Sequence, residues 1–488
     1  MPGFIDIHSH ADWLLVSEDH GELLEPFVRQ GITTIVGGNC GFSPAPLTER
    51  NRAAAQDASR LIRDEEIELR WQTMQEFLEL LSRQGVALNV AELVGHGTVR
   101  AAVTGPLDPR VPGREELREM ESLVRESLDA GCVGVSTGLG YPPGIFAGAD
   151  ELVECARWAA QSGKLFTSHL KAYSWISGVY DADPHELPHN LAALEEVLSA
   201  SDRAGARVQV SHLIFVGRRT WPYYRTTLQR IEEYRSRGLD VAFDAFPYTA
   251  GNTTASVLFP PNILPRLEEV LESPSERKAL GELARAVFSE LGLDLGDIQI
   301  MKSNAPRFEK YNGLRVTEAA EREGMDPFEF YARLVVESRR MARVLIHTYS
   351  GDERDETALR AVLSHPLCLV ETDTFVTRSG HQNPASYGTF PRVLGRYVAE
   401  GLFSFEEAVR KSTGGAAERL GWKDRGWVRP GCAADLVVVD REKLRDRATF
   451  ENPAEPPEGI EYVFVNGKPV LFEGRYDPGA RAGQVLRH

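Results

Sequence analysis

Residues 4–13 read FIDIHSHADW, a short apolar run that ends in two histidines one residue apart. In an extended strand, residues two apart point to the same side, so this run delivers the imidazoles of His8 and His10 together, as half of a metal site. Runs of the same texture recur between helical, charge-rich segments. They are TTIVGGN from 33, LNVAELVGH from 88, GVSTG from 134, KLFTSH from 164, VQVSH from 208, DVAFDAFPY from 240 and CLVETD from 368. With the first they make eight candidate strands. Strands alternating with helices predict a parallel sheet, and near-continuous apolar runs predict that both its faces are buried. The expected fold class is α/β, a (β/α)8 TIM barrel. Such a barrel keeps its active site at the C-terminal ends of its strands. The polar residues of these runs fall there: His8, His10, His96, His169, His212 and Asp373.

The 488 residues exceed one barrel of about 250 residues, so a large domain and a small one are expected. Residues 1–410 read as the barrel. Between its seventh and eighth strands, at about 252–366, lies too much chain for one helix, with strand-like runs DIQIMKSN and ARVLIHTYS; this reads as an insertion near the mouth. Residues 411–488 read as a small β-sandwich-like domain formed mainly by the C-terminal segment, with a hairpin turning at Asn466-Gly467.

Hydrophobic content of 42% and charged content of 26% are those of a globular protein. No stretch approaches the roughly 20 apolar residues that cross a bilayer. Lys+Arg of 55 against Asp+Glu of 71 leaves a net charge of −16, which argues against nucleic acid or an anionic membrane as partner. Five cysteines without paired spacing, and a start without a basic region before an apolar stretch, predict a reduced, cytoplasmic protein.

An HxH pair at a barrel mouth positions two neutral imidazoles for a divalent ion. His169 and His212 each end a separate run with the tripeptide SHL, and four histidines converging on one mouth read as metal ligands. Cys40, in GGNCGFSP after the second run, reads as a further ligand, since a thiolate suits Zn²⁺ and can lie between two ions. Cys132, Cys155, Cys368 and Cys432 read as core residues. Asp373 is placed to take a proton from an activated water and deliver it to a leaving group. His96 contacts substrate or supports the mouth. His185 and His189, interrupted by Pro188, read as loop residues, and the segment 172–190 as an apolar wall of the pocket. His347 has no obvious partner in the sequence.

The order HxH, Cys, His, His and Asp along the strands resembles the amidohydrolase superfamily, and more closely its D-aminoacylase (N-acyl-D-amino-acid deacylase) branch. NCGFSPAP, LVGHGTVR, GVSTGLGYPPG, DAFPYTAG, YGTFPRVLGRYV and GCAADLVVVD resemble segments of that branch in the expected order. The resemblance implies a Cys-bridged centre of one or two Zn²⁺ held by His8, His10, Cys40, His169 and His212, with Asp373 as acid/base. Where many relatives carry a carboxylated lysine after strand four, this chain has Ser136 and Thr137; Lys171, two residues after His169, is the alternative place for a modified lysine.

Positions that the branch associates with the substrate's carboxylate depart from its pattern. Ile214 stands where a lysine is expected, Phe246 replaces the first tyrosine before Pro247-Tyr248, Asn252 replaces a serine, and Ala385 replaces an arginine. Either Arg218, Arg219, Lys171 or Arg378 supplies the charge from new positions, or the substrate lacks that carboxylate. Relatives also build the small domain from strands preceding PGFID, which this sequence lacks; Met1 then reads as a misassigned start, or the small domain keeps an open edge suited to a homo-oligomer. The expected function is zinc-dependent hydrolysis of an amide C–N bond, chiefly deacylation of a small N-acyl amino-acid-like molecule. A cyclic amide or imide, or an aryl amide, is the alternative substrate. A deaminase and a catalytically silent binding homologue are the other classes.

Overall fold

A computed structural model gives the fold and describes residues 1–62, 67–180, 187–259 and 263–487. All eight expected runs form strands of one sheet. These are β1 (Phe4–Asp6), β2 (Ile32–Gly37), β3 (Asn89–Gly95), β4 (Gly134–Gly138), β5 (Leu165–His169), β6 (Val208–Val210) and β7 (Val241–Ala245). After an insertion that carries β8 (Gly251–Thr254), β9 (Ile298–Lys302) and β10 (Arg343–Ile346) comes the eighth, β11 (Cys368–Val370). The order β1-β2-β3-β4-β5-β6-β7-β11 is parallel throughout, each strand beside its predecessor, as an α/β barrel requires.

The last strand meets the first through specific bonds rather than a ladder. Asp6 accepts the Thr372 backbone N–H at 3.0 Å and the Thr372 hydroxyl at 2.6 Å, while the Asp373 N–H donates to the His8 carbonyl at 3.0 Å. The seam thus closes beside His8 and Asp373. On its other edge β1 pairs with β2 as far as Asp6, two residues before His8, and the Ser9 N–H still reaches the Val36 carbonyl at 3.1 Å.

Alternate strand residues fill the interior: Ile5, Ile7, Val36, Ala91, Leu93, Leu165 and Leu369 form one buried cluster with Val133, just before β4. Ala416 and Ala417 of helix Gly414–Arg419, with Leu420, join the same cluster and plug one end, so the open end is the C-terminal one. The insertion's β8, β10 and β9 form a separate antiparallel sheet in that order. β12 (Leu436–Val439), β13 (Ile460–Val465), β14 (Lys468–Phe472) and β15 (Arg475–Tyr476) form a second antiparallel sheet. Its hairpin turns at Asn466 and Gly467, both at positive φ (50° and 78°), the geometry that Asn-Gly favours. Pro2 bridges Leu436, continuing this sheet with the start of the chain. Among the described residues no helix is long and apolar enough to cross a membrane.

Candidate metal centre

Four of the expected residues present ligand atoms to one point: those of His8, Cys40, His212 and Asp373 all lie within 4.8 Å of one another. Cys40 Sγ is 3.2 Å from His8 Nε2 and 3.4 Å from His212 Nε2. Asp373 Oδ1 is 3.5 Å from His8 Nε2 and 3.3 Å from His10 Nε2. His169 extends the group, its Nδ1 2.8 Å from His212 Nε2. His8, Cys40 and His212 are buried; His10 and His169 form the partly open side.

Local sequence explains how the cluster is held. Cys40, His212 and Asp373 are non-glycine residues at positive φ (54°, 30° and 47°), a conformation that costs about 1–3 kcal/mol each and persists where surroundings enforce it. The enforcement is visible at Cys40. Its carbonyl accepts the Tyr141 hydroxyl at 2.8 Å; the next N–H, of Gly41, donates to Ser136 Oγ at 3.1 Å; and that hydroxyl donates to the Gly38 carbonyl. A Cβ at Gly138 would lie 2.0 Å from the Cys40 carbonyl oxygen, so glycine there lets the cysteine loop rest on β4. Ser136 fastens this loop.

A residue that the sequence reading did not single out completes the scaffold. Asp244, at the end of β7 and buried, accepts from His8 Nδ1 at 3.3 Å, the His212 backbone N–H at 2.6 Å and Gln209 Nε2 at 2.7 Å. With its Nδ1 proton directed at the carboxylate, His8 keeps the Nε2 lone pair for the cluster. The only sequence signal was an acid inside an otherwise apolar run.

Electrostatics within the cluster are strong. Burial pushes the Cys40 thiol up, but His8 and His212 outweigh it and hold the pKa well below the thiol range. Burial would lower His8, yet Cys40 and Asp244 raise it well above the ordinary histidine value; His10, opposed by burial but paired with Asp373 and Cys40, is raised to about 10. Asp373 is lowered in spite of burial, chiefly by His212, then His10 and His8. His169 is lowered by burial and by His212. A thiolate, a carboxylate and imidazoles competing for few protons are the N, S and O donors that bind Zn²⁺ by releasing those protons. The donor set therefore fits the expected metal.

The other sequence-nominated residues lie in varied settings. His96 is buried with Nε2 2.8 Å from Glu151 Oε1, an acid shared with Arg100 Nε at 3.1 Å. Lys171 Nζ is 3.7 Å from Glu196 and over the Tyr180 ring. Tyr248 donates to Asp446, which also pairs with Arg392. Asn252 Oδ1 accepts from Asn383 Nδ2 at 2.8 Å. Ile214, Phe246 and Ala385 are buried, and Arg378 pairs with Asp19. His185 lies outside the described residues. His189, expected in a loop, instead opens helix His189–Ala204, buried, with Nδ1 accepting the Ser177 N–H at 2.7 Å. His347 does have partners, Gln299 and Arg315. Cys132, Cys155 and Cys368 are in the core, whereas Cys432 is only partly buried, because it lies beside the Arg429 side chain in a loop of the small domain.

Known proteins resemble the chain closely. Residues 316–471 match the profile of the Amidohydrolase family. Over 488 residues the chain is 34% identical to N-acyl-D-glutamate deacylase of Alcaligenes xylosoxydans xylosoxydans, covering 100% of this chain and 86% of that protein. It is 33% identical over 487 residues to D-aminoacylase of the same organism, covering 99% and 86%. A solved structure of N-acyl-D-glutamate deacylase from Bordetella bronchiseptica, complexed with zinc and a phosphonate mimic of the tetrahedral intermediate, matches with a TM-score of 0.78. The match is 32% identical and covers 100% of this chain and 88% of that one.

Proposed function

Because this chain belongs to the amidohydrolase family, in its D-aminoacylase branch, we propose that it is a zinc-dependent hydrolase that removes the acyl group from an N-acyl D-amino acid. The observation that carries the reading is the convergence of His8, Cys40, His212 and Asp373 within 4.8 Å at the barrel mouth. His8, His10, Cys40, His169 and His212 are the proposed holders of one or two Zn²⁺. When bound, the metal polarises a carbonyl and lowers the pKa of water to near neutrality.

The chain's own residues supply the rest. Asp244 fixes the His8 tautomer and, through the His212 N–H, the strained backbone that aims His212 at Cys40. Asp373, held as a carboxylate by the histidines around it, is the base that takes the proton of the attacking water. It returns that proton to the departing nitrogen, so the products are a carboxylic acid and an amine. The buried floor formed by His8, Cys40 and His212 excludes bulk water beneath the reacting carbonyl, which strengthens the electrostatic interactions made there.

The test is a panel of N-acyl-D-amino acids, their L-enantiomers, aryl amides and cyclic imides, with Asp373→Asn as the blank. Turnover of the D-series by the zinc-loaded chain is expected. Turnover confined to imides or aryl amides would replace the proposed substrate class.

A further inference from the structure

Four arginine side chains are buried among the described residues: Arg100, Arg343, Arg419 and Arg425. Three have a carboxylate, namely Glu151 for Arg100, Asp240 for Arg419 and Asp435 for Arg425. Arg343, only 4% exposed, has none among the described residues. Its Nη2 reaches Thr377 Oγ1 at 3.5 Å, and its Nε and Nη1 have no hydrogen-bond partner there. Burial lowers its pKa to about 10, which leaves it charged at neutral pH. An uncompensated buried cation is costly to fold around, so its retention points to an anion that arrives from outside.

Its place in the fold indicates which anion. Arg343 opens β10, opposite Thr254 of β8 and Lys302 of β9. Strand alternation puts Asn252, Thr254, Arg343 and Leu345 on one face of this sheet. The segment that follows Asp373 covers that face. The Arg343 Cζ lies 5.0 Å from the Phe375 ring centroid, and Asn383 bonds Asn252. Phe375 is two residues beyond Asp373, a backbone span of at most about 7 Å. The other cations that the sequence offered are already matched: Arg218 by Asp297 and Asp352, Arg219 by Glu290, Lys171 by Glu196 and Arg378 by Asp19.

We propose that Arg343 receives the substrate's carboxylate, in place of the positions occupied here by Ile214, Phe246 and Ala385. The proposal rests on the deacylase reading for the identity of the ligand, and it makes Arg343 a specificity residue on the wall behind Asp373. Lys302, across the ladder, adds positive potential to the same place.

Equilibrium binding to the full-length, zinc-loaded Asp373→Asn chain tests this without requiring turnover. The probes are N-acetyl-D-glutamine, N-acetyl-D-isoglutamine and the N-acetyl-D-glutamic diamide, which carry the α-carboxylate, the side-chain carboxylate and neither. Adding Arg343→Met is expected to weaken N-acetyl-D-glutamine, which carries the α-carboxylate, about 10- to 100-fold relative to the diamide, the worth of a lost charge-assisted hydrogen bond. A loss confined to N-acetyl-D-isoglutamine would put Arg343 at a side-chain carboxylate and overturn its replacement of the positions at Ile214, Phe246 and Ala385. Arg343→Lys, which keeps the charge but not the planar fork, is expected to shift the same ratio less, and it serves alone if the methionine variant does not fold. Equal weakening of all three ligands, or an unchanged ratio, would overturn the proposal. Failure of the deacylase reading appears separately, as absence of turnover by the unmodified chain.

Discussion

Asp244→Asn is the substitution whose consequence the structure specifies most fully. The carboxylate accepts three hydrogen bonds, from His8 Nδ1, the His212 N–H and Gln209 Nε2. An amide can keep its oxygen on the first two but must then turn its NH₂ toward Gln209 Nε2, also a donor. Gln209 cannot simply flip, because its Oε1 accepts from Arg419 Nε at 3.1 Å. One buried donor is left without an acceptor, at a cost of about 1–3 kcal/mol. His8 also loses the charged partner that makes its ring a stronger ligand, and losses of this kind lower metal affinity about 10- to 100-fold, or about 1.4–2.7 kcal/mol. Competition for Zn²⁺ between the variant and a chelator of known affinity measures the second effect, and denaturant unfolding of the metal-free chain measures the first. A variant that is less stable yet binds Zn²⁺ as tightly as the parent would refute the claim that Asp244 orients His8 for the metal.

Other outcomes follow from the same geometry. Cys40→Ser exchanges a thiol held ionised by His8 and His212 for a hydroxyl that is not ionised near neutral pH, so Zn²⁺ affinity should fall further than in Asp244→Asn; equal affinities in a chelator titration would contradict a ligand role. Since His8, His10 and His212 all have raised pKa values in the metal-free chain, Zn²⁺ uptake should release protons and tighten as pH rises from 6 to 8; calorimetry in buffers of different ionisation enthalpy counts them, and zero release would contradict it. His347 is held neutral, its pKa pushed down to about 2 by burial and then by Arg315 and His381. Its contribution to stability is present above the unfolded value near 6.5 and is lost as pH falls toward 2, by about 1.4 kcal/mol per unit. His347→Gln should therefore flatten the acid side of a stability–pH profile, whereas parallel profiles would refute this.

What was legible in the sequence was what is local. The apolar runs fixed eight strands because a strand buried on both faces cannot conceal its composition, and barrel topology then placed His8, Cys40, His169, His212 and Asp373 at one end. Asp244 was not legible, since an acid in such a run acquires meaning only when β7 lies beside β1 and β6. The seam between Asp6 and Thr372 joins residues 366 positions apart and leaves no local pattern. Nothing local in the run ARVLIHTYS marks Arg343; that it meets no carboxylate among the described residues is a property of the packed insertion. His189 misled because Pro188 reads as a break, although proline immediately before a helix is compatible with its start.

The central claim is that a zinc centre at this mouth drives amide hydrolysis with Asp373 as the proton carrier. The most direct measurement strips the protein of metal, restores Zn²⁺ stepwise, and follows deacylation of an N-acyl-D-amino acid by the parent and by Asp373→Asn. Activity should be lost on stripping and return with one or two equivalents of Zn²⁺ in the parent. The variant, which keeps His8, His10, Cys40, His169 and His212, should still load the metal yet turn over about 10²- to 10⁴-fold more slowly. Activity that survives complete removal of metal, or an Asp373→Asn chain that matches the parent, would contradict the account.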